Sequence, residues 1–184
     1  MRARSLLALT FAALAAFALA GPVHAQPVSE PAVKAAFLYK FLGYVEWPPQ
    51  ALAPDAPYVI GTLGGDDVAA ELERIVATRS INGRRVQVRR LREGQGTAGV
   101  QVLFIARGQG DAREVLKAVQ RQPILTVTES DRGLELGGIV NLVTPEDRVG
   151  FEVSLDAAQR AGLSISSRML TVARRVVPRS GAAS

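Results

Sequence analysis

Hydrophobic residues along the chain switch between a helical period and a strand period, and these switches divide the chain into short elements. Residues 31–45 put Phe37, Phe41 and Tyr44 on one helical face, which predicts a helix buried on most sides. Pro48 disfavours a helical conformation for the residue before it, so we expect the helix to end there.

Four short runs rich in β-branched residues predict strands, and two amphipathic segments between them predict helices. The strands are 58–63, 86–91, 100–106 and 123–128, and the helices are 66–77 and 111–120. Asp66 has the residue type of an N-cap for the first of these helices. The alternation predicts an α/β fold with a mostly parallel sheet and helices packed on both of its faces.

The last third of the chain predicts an antiparallel hairpin at one edge of the sheet. Two apolar runs, 137–143 and 149–155, flank the turn 145–148. Asp156 is then expected to cap a short helix. A final helix is predicted over residues 165–177. Its buried positions are expected to be Met169, Leu170, Val172, Ala173 and Val176.

The first 25 residues have the pattern of a secretory signal peptide. Arg2 and Arg4 precede the apolar run 6–20, and a small-x-small site predicts cleavage after Ala25. An uncleaved membrane anchor is the alternative, but the run is shorter than the roughly 20 residues of a span. The expected organisation is a signal peptide over 1–25, one domain over 26–178 and a flexible tail over 179–184. We therefore expect a periplasmic protein.

Composition removes most catalytic chemistry from this exported chain. There is no cysteine, and the one histidine, His24, lies in the signal peptide. The usual zinc sites, the Ser-His-Asp triad, cysteine nucleophiles and disulfides are therefore not expected, and no catalytic residue, metal ligand or cofactor-binding residue is predicted. Loss of two arginines with the signal lowers the formal net charge from +5 to +3. A nucleic-acid partner is not expected beyond the inner membrane.

Three polar segments each have a functional and a structural interpretation. The segment GTLGGDD, at 61–67, follows a strand as a phosphate loop does, but it lacks the phosphate-loop spacing, and a tight turn explains it. The segment NGRRVQVRRLRE, at 82–93, is either a basic docking surface or a charged edge strand that resists aggregation. The segment TESDRGLELGG, at 128–138, is either an acid/base site or a solvated loop. Its carboxylates are Glu129, Asp131 and Glu135.

Aromatic residues are concentrated in the first predicted helix and just after it. Phe37 and Phe41 are expected in the core, since each buried aromatic removes about 150–250 Å² from water. Tyr39, Tyr44 and Trp47 have polar groups and are the better candidates for contact with a partner, where Tyr and Trp are enriched. Packing in the core or at its boundary is the alternative for each of the three, and it is the more common use of such residues. The exposed side of the final segment adds two basic candidates. These are Arg168 and Arg175.

Two long segments resemble the YfiR family. The first is AAFLYKFLGYVEWP, at 35–48, and the second runs from ILTVTESDRGLELGG through GLSISSRMLTVAR, at 124–174. The resemblance implies a periplasmic regulator that binds the periplasmic part of an inner-membrane diguanylate cyclase and represses it. Less cyclic di-GMP and less biofilm would follow. The resemblance also implies a homodimer, and an OmpA-like outer-membrane lipoprotein that sequesters the repressor.

The chain departs from the best-known members of that family in one respect. Those members have disulfides with a proposed redox role, whereas this chain has no cysteine, so redox control does not carry over. Two other functions stay open on the residues themselves. One is a small-ligand sensor that uses the strand-end loops 61–66 and 128–138, and the other is a carboxylate-based hydrolase.

Overall fold

The computed structural model describes residues 28–179. The predicted signal peptide and residues 180–184 of the predicted tail lie outside this range. The first half contains helix α1 (Glu30–Phe41), strand β1 (Val45–Glu46), strand β2 (Tyr58–Leu63), helix α2 (Asp66–Val76) and strand β3 (Val86–Leu91). A 3₁₀ turn, Pro49–Ala51, lies between β1 and β2.

The second half contains β4 (Val102–Ile105), α3 (Ala112–Val119), β5 (Leu125–Thr128), β6 (Val140–Val143), β7 (Gly150–Ser154), α4 (Leu155–Arg160), β8 (Ser164–Ile165), α5 (Ser167–Val172) and β9 (Arg175–Val177). No helix within residues 28–179 has the length and apolar character needed to cross a membrane.

The main sheet confirms the predicted α/β fold class. Its order is β3-β2-β4-β5-β6-β7-β9, and the first five of these strands are parallel. Numbered by their own succession in the chain, those five have the order 2-1-3-4-5, which is one of the two common doubly wound arrangements. The short strands β1 and β8 form a separate antiparallel pair.

Both faces of the sheet are covered, as the apolar character of the central strands predicts. In β4, Val102 and Phe104 belong to one hydrophobic cluster, whereas Leu103 and Ile105 belong to a second cluster on the opposite face. The first cluster takes buried residues from α1, α2, α4 and α5, and the second takes them from α3. The two faces therefore differ in how much helix covers them.

The predicted N-cap of α2 is wrong by one residue, and the predicted N-cap of α4 is wrong by two. Gly65, with φ +66°, is the N-cap of α2, and Asp66 is its first residue. An added Cβ on Gly65 would lie 2.8 Å from Phe104, so glycine is required there. In α4 the side chain of Ser154 accepts a hydrogen bond from the Ala157 N–H, and Asp156 lies in the first turn.

The predicted final helix over 165–177 is wrong. Helix α5 ends at Val172, Ala173 has extended φ/ψ, and β9 then pairs in parallel with β7. Val172 is 67% exposed, although a buried helix face was expected there. The outer strand of the hairpin offers unpaired backbone groups, and the β-branched Val176 suits a strand that satisfies them. The predicted hairpin of β6 and β7 is confirmed, but β9 covers its outer edge.

Candidate functional site

Helix α1 ends four residues earlier than predicted, and the chain that follows it builds a cleft around Trp47. The N–H groups of Gly43 and Tyr44 close a turn on the last residues of the helix, at 2.9 and 3.0 Å. Strand β1 then pairs with β8, which brings Trp47 to the start of a Pro-Pro segment. The cleft has a volume of about 390 Å³. Its lining includes Leu42, Val45, Trp47, Pro49 and Tyr58.

The Trp47 side chain is half-buried and has an aromatic neighbour. Its ring lies 5.7 Å from the ring of Tyr58, and the Arg84 guanidinium lies 5.5 Å from the centre of the Tyr58 ring on a cation–π contact. The Trp47 Nε1–H is buried and has no hydrogen-bond acceptor within residues 28–179. The arrangement presents a tryptophan edge and a tyrosine on one cleft wall, which suits contact with an apolar group.

The other predicted contact residues divide between core and surface. Tyr39 is 8% exposed, and its hydroxyl donates to the Ser80 carbonyl at 2.9 Å, so it is part of the core. Tyr44 is 38% exposed, and its carbonyl accepts a hydrogen bond from the Ser166 N–H, just before the exposed Arg168 on α5. The structure thus brings Tyr44 and the chain segment of Arg168 together.

Arg175 lies elsewhere, on the edge strand β9. Its Nε and Nη2 donate to the two carboxylate oxygens of Glu152 on β7, each at 2.9 Å. This bidentate hydrogen bond raises the pKa of Arg175. Arg175 is therefore not joined to the cleft by any contact of the described residues.

A second candidate site, which is polar, lies at the carboxyl ends of the parallel strands. The Lys34 side chain, 8% exposed, forms ion pairs with Glu129 at the end of β5 and with Glu30 one helical turn away, the latter at 2.6 Å. Burial alone would lower the pKa of Lys34, but hydrogen bonds from its ammonium to Glu129 and Glu30 raise it. The same contact with Lys34 lowers the pKa of Glu30. Glu129, with 16% of its side chain exposed, is thus a largely buried partner of Lys34 and not part of a solvated loop.

The remaining carboxylates of the 128–138 loop are held by arginines. Asp131 accepts a hydrogen bond from Arg107 at 2.9 Å, and Glu135 accepts one from Arg132 at 2.8 Å. Both carboxylates are well exposed, as the solvated-loop interpretation predicts. Asp131 and Glu135 each pair with an arginine and do not form a pair of facing carboxylates, so this geometry does not support the acid/base interpretation.

The two strand-end loops proposed for a ligand do not form one pocket. At the switch point between β2 and β4 the side chain of Gln109 lies over Gly64, where an added Cβ would be 2.0 Å from its Cγ. The open space lies one strand further, beyond β4 and β5, in a cleft of about 440 Å³. Its lining includes Arg107, Gln109, Ala112, Glu129 and Leu136.

The fold is a doubly wound α/β domain with an aromatic cleft around Trp47. A family model described as YfiR/HmsC-like matches residues 31–174, and the chain belongs to this family. The resemblance in the two quoted segments is therefore confirmed. YfiR-like proteins are a regulatory, non-catalytic family of the periplasm that acts in cyclic di-GMP signalling.

Proposed function

We propose that this protein represses an inner-membrane diguanylate cyclase by binding its periplasmic part. Lower cyclic di-GMP and less biofilm follow from that repression. Membership of the YfiR/HmsC-like family carries the proposal, because the family implies interaction with a membrane diguanylate cyclase. Export after cleavage at Ala25 places the chain in the same compartment as that domain.

The surface proposed for this contact consists of Tyr44, Trp47 and Arg168. Tyr44 is among the large hydrophobic side chains that the described residues expose, and Trp47 lines the adjoining cleft. Aromatic and arginine side chains dominate binding energy at protein interfaces. Tyr39 is left out because it is buried, and Arg175 is retained as a separate contact on β9.

Two further partners belong to the same proposal. An OmpA-like outer-membrane lipoprotein sequesters the repressor and relieves the inhibition, and the free protein is a homodimer. The absence of cysteine from the sequence means that this cycle runs without a disulfide switch. Release of the cyclase from the repressor is then controlled by competition between the cyclase and the lipoprotein for the repressor, and not by redox state.

Deleting the gene is expected to raise cellular cyclic di-GMP and surface attachment, because the cyclase loses its repressor. Both are measured in the native host, by nucleotide quantification and by a static biofilm assay. The wild-type chain supplied in trans should restore the original levels. Unchanged cyclic di-GMP, in cells shown to produce the protein, would contradict the proposal.

Trp47→Ala is expected to weaken binding to the periplasmic part of the cyclase by about 2 kcal/mol, or roughly thirtyfold, as loss of an interface tryptophan does. The loss of folding stability, seen as a fall in the melting temperature, is expected to be smaller than the loss of binding free energy, because Trp47 is only half-buried. Binding is measured by calorimetry and stability by thermal denaturation.

Trp47→Phe is the matched control. It removes the buried Nε1–H that has no acceptor while keeping an aromatic ring beside Tyr58, so the melting temperature should be unchanged. If Trp47→Ala instead lost fold and binding in equal measure, Trp47 would be a core residue and the proposed surface would be wrong.

The second candidate function is a sensor of small ligands that feeds another signalling output. The cleft beyond β4 and β5 supports it, because doubly wound sheets bind ligands at the carboxyl ends of their strands. A thermal-shift screen of nucleotides, amino acids and cell-wall fragments tests it. A ligand that stabilises the protein, together with failure to capture a membrane cyclase, would favour this function over repression.

A further inference from the structure

One edge of the molecule carries a segment rich in arginine that contains no acidic residue. Between residues 74 and 92 the chain has seven arginines and no aspartate or glutamate. The run covers the end of α2, the turn before β3, and β3 itself. Strand β3 is the outermost strand of the sheet, so this positive charge lies along an edge.

Few of these arginines are neutralised by contacts within the protein. Arg74 pairs with Glu71, and Arg90 pairs with Glu73 and Asp66. The other five have no carboxylate partner among residues 28–179. They are Arg79, Arg84, Arg85, Arg89 and Arg92.

The nearest carboxylate after the run does not compensate these charges. The Glu93 carboxylate lies against the loop at Gly110, where an added Cβ would be 2.8 Å from its Oε1. Arg84 and Arg89 donate to backbone carbonyls, at Ala53 and Ala98, which fixes their positions and leaves their charge in place. Guanidinium groups stay protonated at any ordinary pH.

Protection of an edge strand explains only part of this pattern. A charge or two on the strand is enough to prevent edge-to-edge pairing, and lysine is the usual choice. Here Arg79 precedes the strand and Arg92 follows it, so the charge extends past both ends of β3. The six residues of β3 alone span about 20 Å, so the array is wide enough for several phosphate groups.

We propose that the β3 edge binds the surface of a membrane that contains anionic phospholipid. This inference goes beyond the proposed repression and does not depend on a cyclase. Guanidinium groups match phosphate geometry, and each basic group at an anionic membrane strengthens binding.

A protein partner fits this edge less well than a lipid surface. The fully buried centre of a protein interface is typically apolar and rich in aromatic residues. The Tyr58 ring under Arg84 belongs to the Trp47 cleft, which lies at one end of this edge. The large exposed hydrophobic side chains of residues 28–179 lie elsewhere. They are Val28, Tyr44, Val172 and Val176. An edge with charge and no apolar centre matches a charged lipid surface that is contacted without insertion.

Co-sedimentation with vesicles tests the proposal on the purified protein. Wild-type protein is expected to bind vesicles of phosphatidylglycerol and phosphatidylcholine at low salt, and to release from them in about 0.5 M salt. The variant R79Q/R85Q/R92Q removes three exposed arginines whose side chains make no hydrogen bond or ion pair within residues 28–179. Each arginine removed should lower the partition coefficient onto the vesicles about fivefold, so the triple variant should show a fall of about a hundredfold.

The variant R113Q/K117Q/R121Q is the control of equal charge. These three residues are exposed on and just after α3, away from the edge strand, and none of them forms an ion pair within residues 28–179. Its partition coefficient should stay within about threefold of wild type. Equal loss in the two variants, equal binding of wild type to pure phosphatidylcholine, or insensitivity to salt would each overturn the proposal. Circular dichroism confirms that both variants are folded.

Discussion

Phe41→Ala is expected to lower the free energy of unfolding by about 3–5 kcal/mol, the usual cost of truncating a buried phenylalanine. Phe41 is 2% exposed, and its ring meets the Phe151 ring edge-on at 5.0 Å. Phe37 completes the cluster, 5.9 Å from Phe41 and 5.3 Å from Phe151. Truncation leaves a cavity between α1 and β7. For a domain of this size the melting temperature should fall by about 8–16 °C.

Tyr44→Ala is the control for this prediction. Tyr44 lies three residues further along and is 38% exposed, so the free energy of unfolding should change by less than about 1 kcal/mol. Urea denaturation of both variants gives the two values. Equal losses, or a small loss for Phe41→Ala, would show that the α1 aromatics do not support the core. The same Tyr44 variant then serves to measure partner binding in a folded protein.

Elements with a strong local pattern were predictable from the sequence. The strands β2 and β3 have their predicted bounds, and β4 and β5 lie within theirs. Helix α3 also lies within its predicted range, where Asp111 accepts hydrogen bonds from the N–H groups of Arg113 and Glu114. In these elements the apolar period, the β-branched content and the end residues all favour the same structure.

The end of the chain was not predictable because its structure depends on a distant strand. Residues 165–177 have helical spacing, yet the backbone of β9 is paired by β7, and Arg174 N–H donates to the Phe151 carbonyl at 2.8 Å. The early end of α1 has the same cause, since β1 is paired by β8 more than a hundred residues later. Local propensity yields to such pairing.

The candidate sites were predictable to different degrees. The exposure of Tyr44 and the half-buried position of Trp47 agree with their residue types, whereas the burial of Tyr39 does not follow from its residue type. Their contact with a partner stays a prediction. The Lys34–Glu129 ion pair joins residues 95 positions apart, so no local pattern indicates it. The spacing of Glu30 and Lys34, one helical turn, was the one local signal that this lysine has a carboxylate neighbour.

Lys34→Met is expected to lower the free energy of unfolding by about 3–5 kcal/mol, because it leaves the Glu129 carboxylate largely buried and without its partner. Glu30, with 49% of its side chain exposed, can be hydrated once Lys34 is gone, so it contributes the smaller part of the loss. Replacing both partners, in Lys34→Met with Glu129→Leu, should recover most of the stability, since two apolar side chains leave no uncompensated charge. Lys40→Met, on the exposed side of the same helix, should change the free energy by less than about 0.5 kcal/mol.

The pH dependence separates an ionic loss from a packing loss. Glu30 has a lowered pKa, so its contribution is present above its usual value of 4.5 and is lost as pH falls through the lowered value. Lys34 has a raised pKa, so its contribution is complete below 10.5 and is lost as pH rises through the raised value. The stability difference between wild type and Lys34→Met should therefore be largest between about pH 5 and 10, and in acid it should shrink by the part that the Glu30–Lys34 pair contributes. A difference that is constant down to pH 3, or a loss no larger than that of Lys40→Met, would mean that Lys34 contributes through its methylene groups and that the ion pair does not hold α1 to the end of β5.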